Sequence, residues 1–159
     1  MQFTPIRAAA LTAAGVLGAG ALALAAPTGA TPPAHSSSPT IHVVEHAITD
    51  SEAPGVLGRD AKGNILTFTN PVYNTANTRK VGHDEGFCTR LDVKQGIWEC
   101  LWTTFLKDGQ LTVQGPYYDT RNSVLSITGG TGAYRTARGS MTLLSRNGGK
   151  EYDFIFHLS

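Results

Sequence analysis

Beyond residue 40 the chain alternates apolar and polar positions with a period of two, interrupted at short intervals by Gly, Asn, Asp and Lys. That pattern is the signature of half-buried β-strands joined by turns, and no window shows the 3.6-residue stripe of an amphipathic helix. Eight strands are expected, over residues 41–49, 64–69, 79–92, 96–106, 110–118, 123–128, 137–145 and 151–158. The links Lys107-Asp108-Gly109, Thr120-Arg121-Asn122 and Asn147-Gly148-Gly149 are short and rich in residues that tolerate positive φ, so strands adjacent in sequence become antiparallel neighbours. A meander of this length either leaves two exposed edges or closes on itself, and closure removes the edges. The prediction is an all-β domain: an eight-stranded antiparallel β-barrel with a central apolar cavity wide enough for one small ligand.

The alternation also describes the outside of the barrel. Over 96–106 one face presents Trp98, Cys100, Trp102 and Leu106, and the other presents Ile97, Leu101 and Phe105 around Glu99. Both faces are apolar, whereas a monomeric barrel keeps its outer face wet. A second copy of the chain, or failing that a loop, is expected to cover Ile97, Leu101 and Phe105, to which Phe87 and Leu91 add across the hairpin.

The amino terminus falls outside this pattern. Arg7 precedes an uncharged Ala/Gly/Leu run from Ala8 to Ala26, with small-x-small cleavage sites at Ala23-Leu24-Ala25 and Thr28-Gly29-Ala30. This is read as a secretory signal peptide over 1–26, cleaved as late as residue 30. The run could just span a bilayer, but its composition is weakly hydrophobic for an anchor. Residues 27–40 are Pro, Ser, Thr and Ala with one histidine, too poor in apolar surface to order themselves, and read as a flexible leader. The folded unit is then 41–159, one domain.

Charge narrows the partners. The chain has 13 Lys+Arg and 12 Asp+Glu, and losing Arg7 with the leader balances them. Without a basic stripe there is nothing to neutralise phosphates, so nucleic acid is not expected as a partner. A basic membrane-surface helix is missing for the same reason, and no stable membrane insertion is expected after signal cleavage.

The two cysteines are expected to pair, because export places them where a disulfide persists. A turn centred on Lys94 pairs residues whose numbers sum to 188, setting Arg90 opposite Trp98, Cys88 opposite Cys100, Gly86 opposite Trp102 and Asp92 opposite Gly96. The glycine leaves room for the indole, and Arg90 can lie on Trp98. Facing residues in such a pair come within disulfide range.

Some apparent motifs carry no chemistry. Thr128-Gly129-Gly130-Thr131-Gly132 lacks the third glycine of a dinucleotide fingerprint, since Arg135 stands there, and no helix follows, so it reads as a glycine turn. His42, His46, His83, Asp84 and Glu85 lack the tight spacing of a metal site, and none is assigned. No hydrolase nucleophile elbow is present.

The segment from Ile127 to Gly139, ITGGTGAYRTARG, resembles the signature of dirigent proteins. Leu111 to Tyr117 (LTVQGPY), Phe68 to Tyr73 (FTNPVY) and Gly86-Phe87-Cys88 resemble stretches of plant allene oxide cyclases. The two families share one barrel superfamily, and the four motifs lie in the same order across nearly all of 41–159. The resemblance implies a trimeric eight-stranded barrel that supplies shape more than chemistry, steering a reactive apolar ligand to one stereoisomer with no cofactor in the barrel.

By position, Glu45 then matches the cyclase glutamate at the cavity floor. Pro54 and Asn70 match members of a site holding an ordered water, Cys88 matches the cavity cysteine, and Tyr117 lines the pocket. Ala47 and Ala53 replace an asparagine and a serine of the cyclase pattern, so two polar groups that serve the plant substrate are absent. Phe68, Trp98 and Trp102 complete the expected aromatic lining. Independently of resemblance, a carboxylate at Glu45 aimed into such a barrel has its charged form disfavoured and is the candidate acid or base; its alternatives are exposure to solvent or pairing with Arg90. If Cys88 is in a disulfide it offers no thiol, and catalysis rests on Glu45. The expected function is an exported, cyclase-like or dirigent-like barrel acting as an isomerase on a small apolar substrate; the alternative is a non-catalytic carrier.

Overall fold

The computed structural model describes residues 39–53 and 59–159. The expected signal peptide, the leader as far as residue 38, and Pro54 lie outside the described residues.

Nine strands form one antiparallel sheet: β1 (Thr40–His46), β2 (Ser51–Ala53), β3 (Ile65–Asn74), β4 (Lys80–Asp92), β5 (Ile97–Leu106), β6 (Gly109–Tyr118), β7 (Ser123–Gly130), β8 (Gly139–Arg146) and β9 (Glu151–Leu158). From β3 to β9 each strand pairs with the next, β9 pairs with β1, and β1 pairs with β3. Those eight strands close a barrel, and β2 is an addition on β3. A single 3-10 turn, Gly132–Tyr134, is the one helical element among the described residues. It follows the glycine-rich segment, where Gly132 has φ +58 and a Cβ would collide with the Asp108 carbonyl of the β5–β6 turn. The glycine turn is therefore a packing requirement.

Two features depart from the expected strands. β3 continues past Thr69 through Pro71 to Asn74, and β2 occupies a segment expected to be loop. Both have one cause. β1 pairs with β3 only at residues 72–74, and β2 only at 65–67, so residues 68–71 of β3 have no strand on that side. Thr69 N instead donates to Thr49 Oγ1 at 2.8 Å. Pro71, two residues on and facing the same opening, forfeits no ladder bond there.

The interior follows the period-two pattern: Trp98, Cys100, Trp102 and Thr104 from β5, Leu111 and Val113 from β6, Leu125 and Ile127 from β7, Met141 and Leu143 from β8, and Phe154 and Phe156 from β9 are buried. On the β4–β5 hairpin Cys88 faces Cys100, Arg90 faces Trp98 and Gly86 faces Trp102, as the arithmetic of 188 requires. A Cβ on Gly86 would overlap Trp102 Cβ, so the glycine makes room for the indole. The register slips at the turn: Asp92 faces Ile97 rather than Gly96, because Leu91 is an extra residue. Gly96, at φ +63, turns the chain.

The disulfide is formed, Cys88 to Cys100, with Cα atoms 4.0 Å apart. It is compatible with an exported protein. No helix among the described residues is long and apolar enough to cross a membrane. On the outer face Phe87, Leu91 and Leu101 are exposed, at 46%, 43% and 38%.

Candidate functional site

One end of the barrel opens into a cavity of about 80 Å³. This is several times the space one water needs, about 10–15 Å³. Its apolar wall is built from Leu66, Phe68, Trp102, Leu143 and Phe154 together with the Cys88–Cys100 disulfide. The polar wall is Glu45, Asp50, Tyr117 and Tyr152. Period two explains the placement, because Tyr152 precedes Phe154 and Phe156 by even steps on β9, and Glu45 follows buried Val43 on β1.

Glu45 is 5% exposed and sits between Val72 on β3 and Tyr152 on β9. Its Oε1 accepts from Asn70 Nδ2 at 2.8 Å, and the same amide donates to Asp50 Oδ1 at 2.7 Å. The amide orientation is fixed from its other side: Asn70 Oδ1 accepts from the backbone N–H groups of Ile48 and Thr49 at 3.0 and 2.9 Å. With the oxygen spent on backbone donors, the nitrogen must face the carboxyls. Asn70 thus closes the opening between β1 and β2 and orients Glu45 in one arrangement.

Behind Asn70 lies a second buried acid. Asp84 is fully buried, faces Asn70 across β3–β4 and Thr104 across β4–β5, and its Oδ1 accepts the Asn70 backbone N–H at 3.2 Å. As an ion its Oδ2 would have no partner. Such an orphan is costly in a dry interior. Protonation resolves it, since the carboxyls of Asp84 and Glu45 are within hydrogen-bond reach of each other once one of them carries a proton. Burial first, then the facing Glu45 charge, pushes Asp84 up to about 9. Burial likewise pushes Glu45 up to about 7, with Asp50 adding to the shift and the Asn70 hydrogen bond opposing it. The pair holds a shared proton near neutrality, the condition in which a carboxyl serves as acid or base.

Tyr117 and Tyr152 meet at the mouth, their hydroxyls 3.0 Å apart. Burial raises both phenols, and the Glu45 and Asp50 carboxyls add to it. Two further polar atoms are buried without a protein partner, Trp102 Nε1 and Thr104 Oγ1. The indole belongs to a cavity-lining residue, but its N–H is itself inaccessible.

Of the residues singled out in the sequence, Glu45, Phe68, Cys88, Trp102 and Tyr117 meet around this cavity, and Asn70 holds Glu45 from behind. Trp98 does not line it. Its Nε1 donates to Asp119 Oδ1 at 2.9 Å, and the Arg90 guanidinium lies 3.9 Å over its ring. Arg90 in turn bonds Asp60 in bidentate fashion and Asp119, so it is not the partner of Glu45. The histidines are dispersed: His42 bonds Asp153, His46 stacks on Tyr73, and His83 stacks on Phe105.

Sequence reasoning passed over Asp50 and Tyr152, and weighed Asp84 only as a metal ligand. A signal existed for Asp84, which stands two residues before Gly86 on the face already assigned to Gly86, Cys88 and Arg90, and for Tyr152, in step with Phe154. Asp50 carries none, since it lies in the link between β1 and β2.

A family model described as allene oxide cyclase matches residues 35–146. The chain belongs to the allene oxide cyclase family. Among solved structures, a pyocyanin demethylase is similar at 20% identity and a TM-score of 0.66, covering 76% of this chain and 99% of the other. A pterocarpan synthase dirigent protein aligns at 19% identity and a TM-score of 0.62, over 74% of this chain and 82% of its own. AbnU, an exo-specific intermolecular Diels-Alderase, aligns at 16% identity and a TM-score of 0.62, over 77% and 98%. At these identities the likeness is one of fold. In this family member the cavity carries Glu45 on its polar wall and the Cys88–Cys100 disulfide on its apolar one.

Proposed function

We propose that this allene oxide cyclase family member is an exported enzyme that steers ring closure or cycloaddition of a small, largely apolar substrate, and that it works as a homotrimer. The observation that carries the reading is the buried Glu45–Asp84 pair, with Glu45 on the wall of a largely apolar cavity: a proton held near neutrality where water is scarce. Reactions of this class need a substrate folded into one reactive conformer and a charge relieved as bonds rearrange. The apolar wall supplies the first. Glu45 supplies the second by giving a proton to a developing oxyanion, or taking one from an acidic C–H, while Asp84 holds the proton in exchange. Cys88 contributes surface only, because a disulfide sulfur has neither thiol proton nor thiolate.

Native mass spectrometry of the protein exported by its own producer identifies the bound small molecule, and that molecule or its precursor is then incubated with the wild-type chain and with Glu45→Gln. Conversion by the wild type that drops in the variant supports the enzyme. A ligand that emerges unchanged from both makes the barrel a carrier.

A further inference from the structure

Among the described residues, the cavity wall carries acidic side chains and no cationic one. Among the described residues that line it, Glu45 and Asp50 are acidic and none is Lys, Arg or His. Residues 54–58, PGVLG, contain no charged side chain. Arg90 shares the inward face of β4 with Cys88, but its guanidinium is committed to Asp60 and Asp119 and lies over Trp98.

Much of the rest of the wall is aromatic. Trp102 lies 5.3 Å from Phe154 and 6.1 Å from Phe68, centroid to centroid, and Tyr117 meets Tyr152 edge-on at 6.0 Å. Ring faces are electron-rich and attract a cation that has left water. A carboxylate entering the same space loses its hydration and meets no opposite charge. The donors on that wall, the hydroxyls of Tyr117 and Tyr152, are neutral and do not offset that loss.

Resting on the reading of this cavity as a ligand site, we infer that it selects a small unsaturated or aromatic ring carrying positive charge and rejects ring carboxylates. The acids at the mouth and the aromatic wall act together: Asp50 is exposed and draws the cation in, and the rings hold it beside Glu45. A substrate whose carboxylate must enter the barrel is excluded.

Three single-ring probes of similar size separate charge from shape: N-methylpyridinium, toluene and benzoate, titrated into the full mature chain at pH 7.5 and followed by tryptophan fluorescence and by amide shifts of residues 98–102. N-methylpyridinium is expected to bind at least ten-fold more tightly than benzoate. Asp50→Asn, at an exposed position, should weaken the cation several-fold and leave toluene unchanged; Glu45→Gln should do the same. Benzoate binding as tightly as N-methylpyridinium, or toluene binding while neither ion does, overturns the charge preference and leaves the cavity as a ligand site. If none of the three shifts the cavity residues, the ligand-site reading falls and the preference with it.

Discussion

Glu45 and Asp84 are joined through one residue: Asn70 gives its side-chain amide to the first at 2.8 Å and its backbone N–H to the second at 3.2 Å. The two acids sit on β1 and β4, which do not pair, and β3 carries the bridge between them. Both carboxyls are thus held from one strand position, and burial there favours the protonated form of each.

The first prediction concerns that pair and pH. Both folded-state values, about 7 and about 9, lie above the ordinary 4.5 and 3.8. The folded chain therefore holds protons that the unfolded chain has released, and stability falls as pH rises from about 4 through 9. The urea midpoint should be lower at pH 8 than at pH 5, by a difference on the order of 1–3 kcal/mol in unfolding free energy. Asp84→Asn should flatten the dependence. A midpoint that rises between pH 5 and 8 rejects the shared proton.

Catalysis provides the second. Glu45→Gln is nearly isosteric and keeps an acceptor for Asn70, so folding should survive while turnover of the cognate ligand falls about 10²- to 10⁴-fold, the usual contribution of a positioned acid or base. Tyr117→Phe, which removes one hydroxyl of the mouth pair, should cost less. Full rate and product profile in Glu45→Gln would make the carboxyl structural.

The disulfide has a covalent and an energetic test. Intact mass of the exported protein without reductant should lie two hydrogens below that of the reduced form. With a sequence separation of 12, replacing both cysteines by alanine should lower stability by about 2–3 kcal/mol, most of it from the freed unfolded chain. Circular dichroism should still show the barrel, because the register is also held by strand pairing.

The outer face tests the trimer. Phe87 and Leu101 face one another across β4–β5 on the solvent side, half-exposed in a single chain. Light scattering at micromolar concentration should give three times the chain mass. Leu101→Glu, which would place a charge in a dry interface, should return it to one. A wild-type monomer defeats the assembly and leaves the cavity chemistry untouched.

The sequence by itself determined the existence of the eight barrel strands, the β4–β5 register away from its turn and the Cys88–Cys100 pairing, because these depend on contacts between residues close along the chain. Alternation assigns each side chain to a face, a turn fixes which residues oppose, and from there Cys88 meets Cys100 and Arg90 lies on Trp98. The resemblance extended this to Glu45, Asn70 and Tyr117. Only the tertiary structure decided what Glu45 is. Its partner Asp84 lies on a strand it never pairs with, Asp50 comes from a link without periodicity, and Tyr152 arrives through closure of β9 on β1. Desolvation, which raises both carboxyls, is set by the whole enclosing wall. No local pattern encodes that sum, so the acid pair became visible when the barrel closed around it.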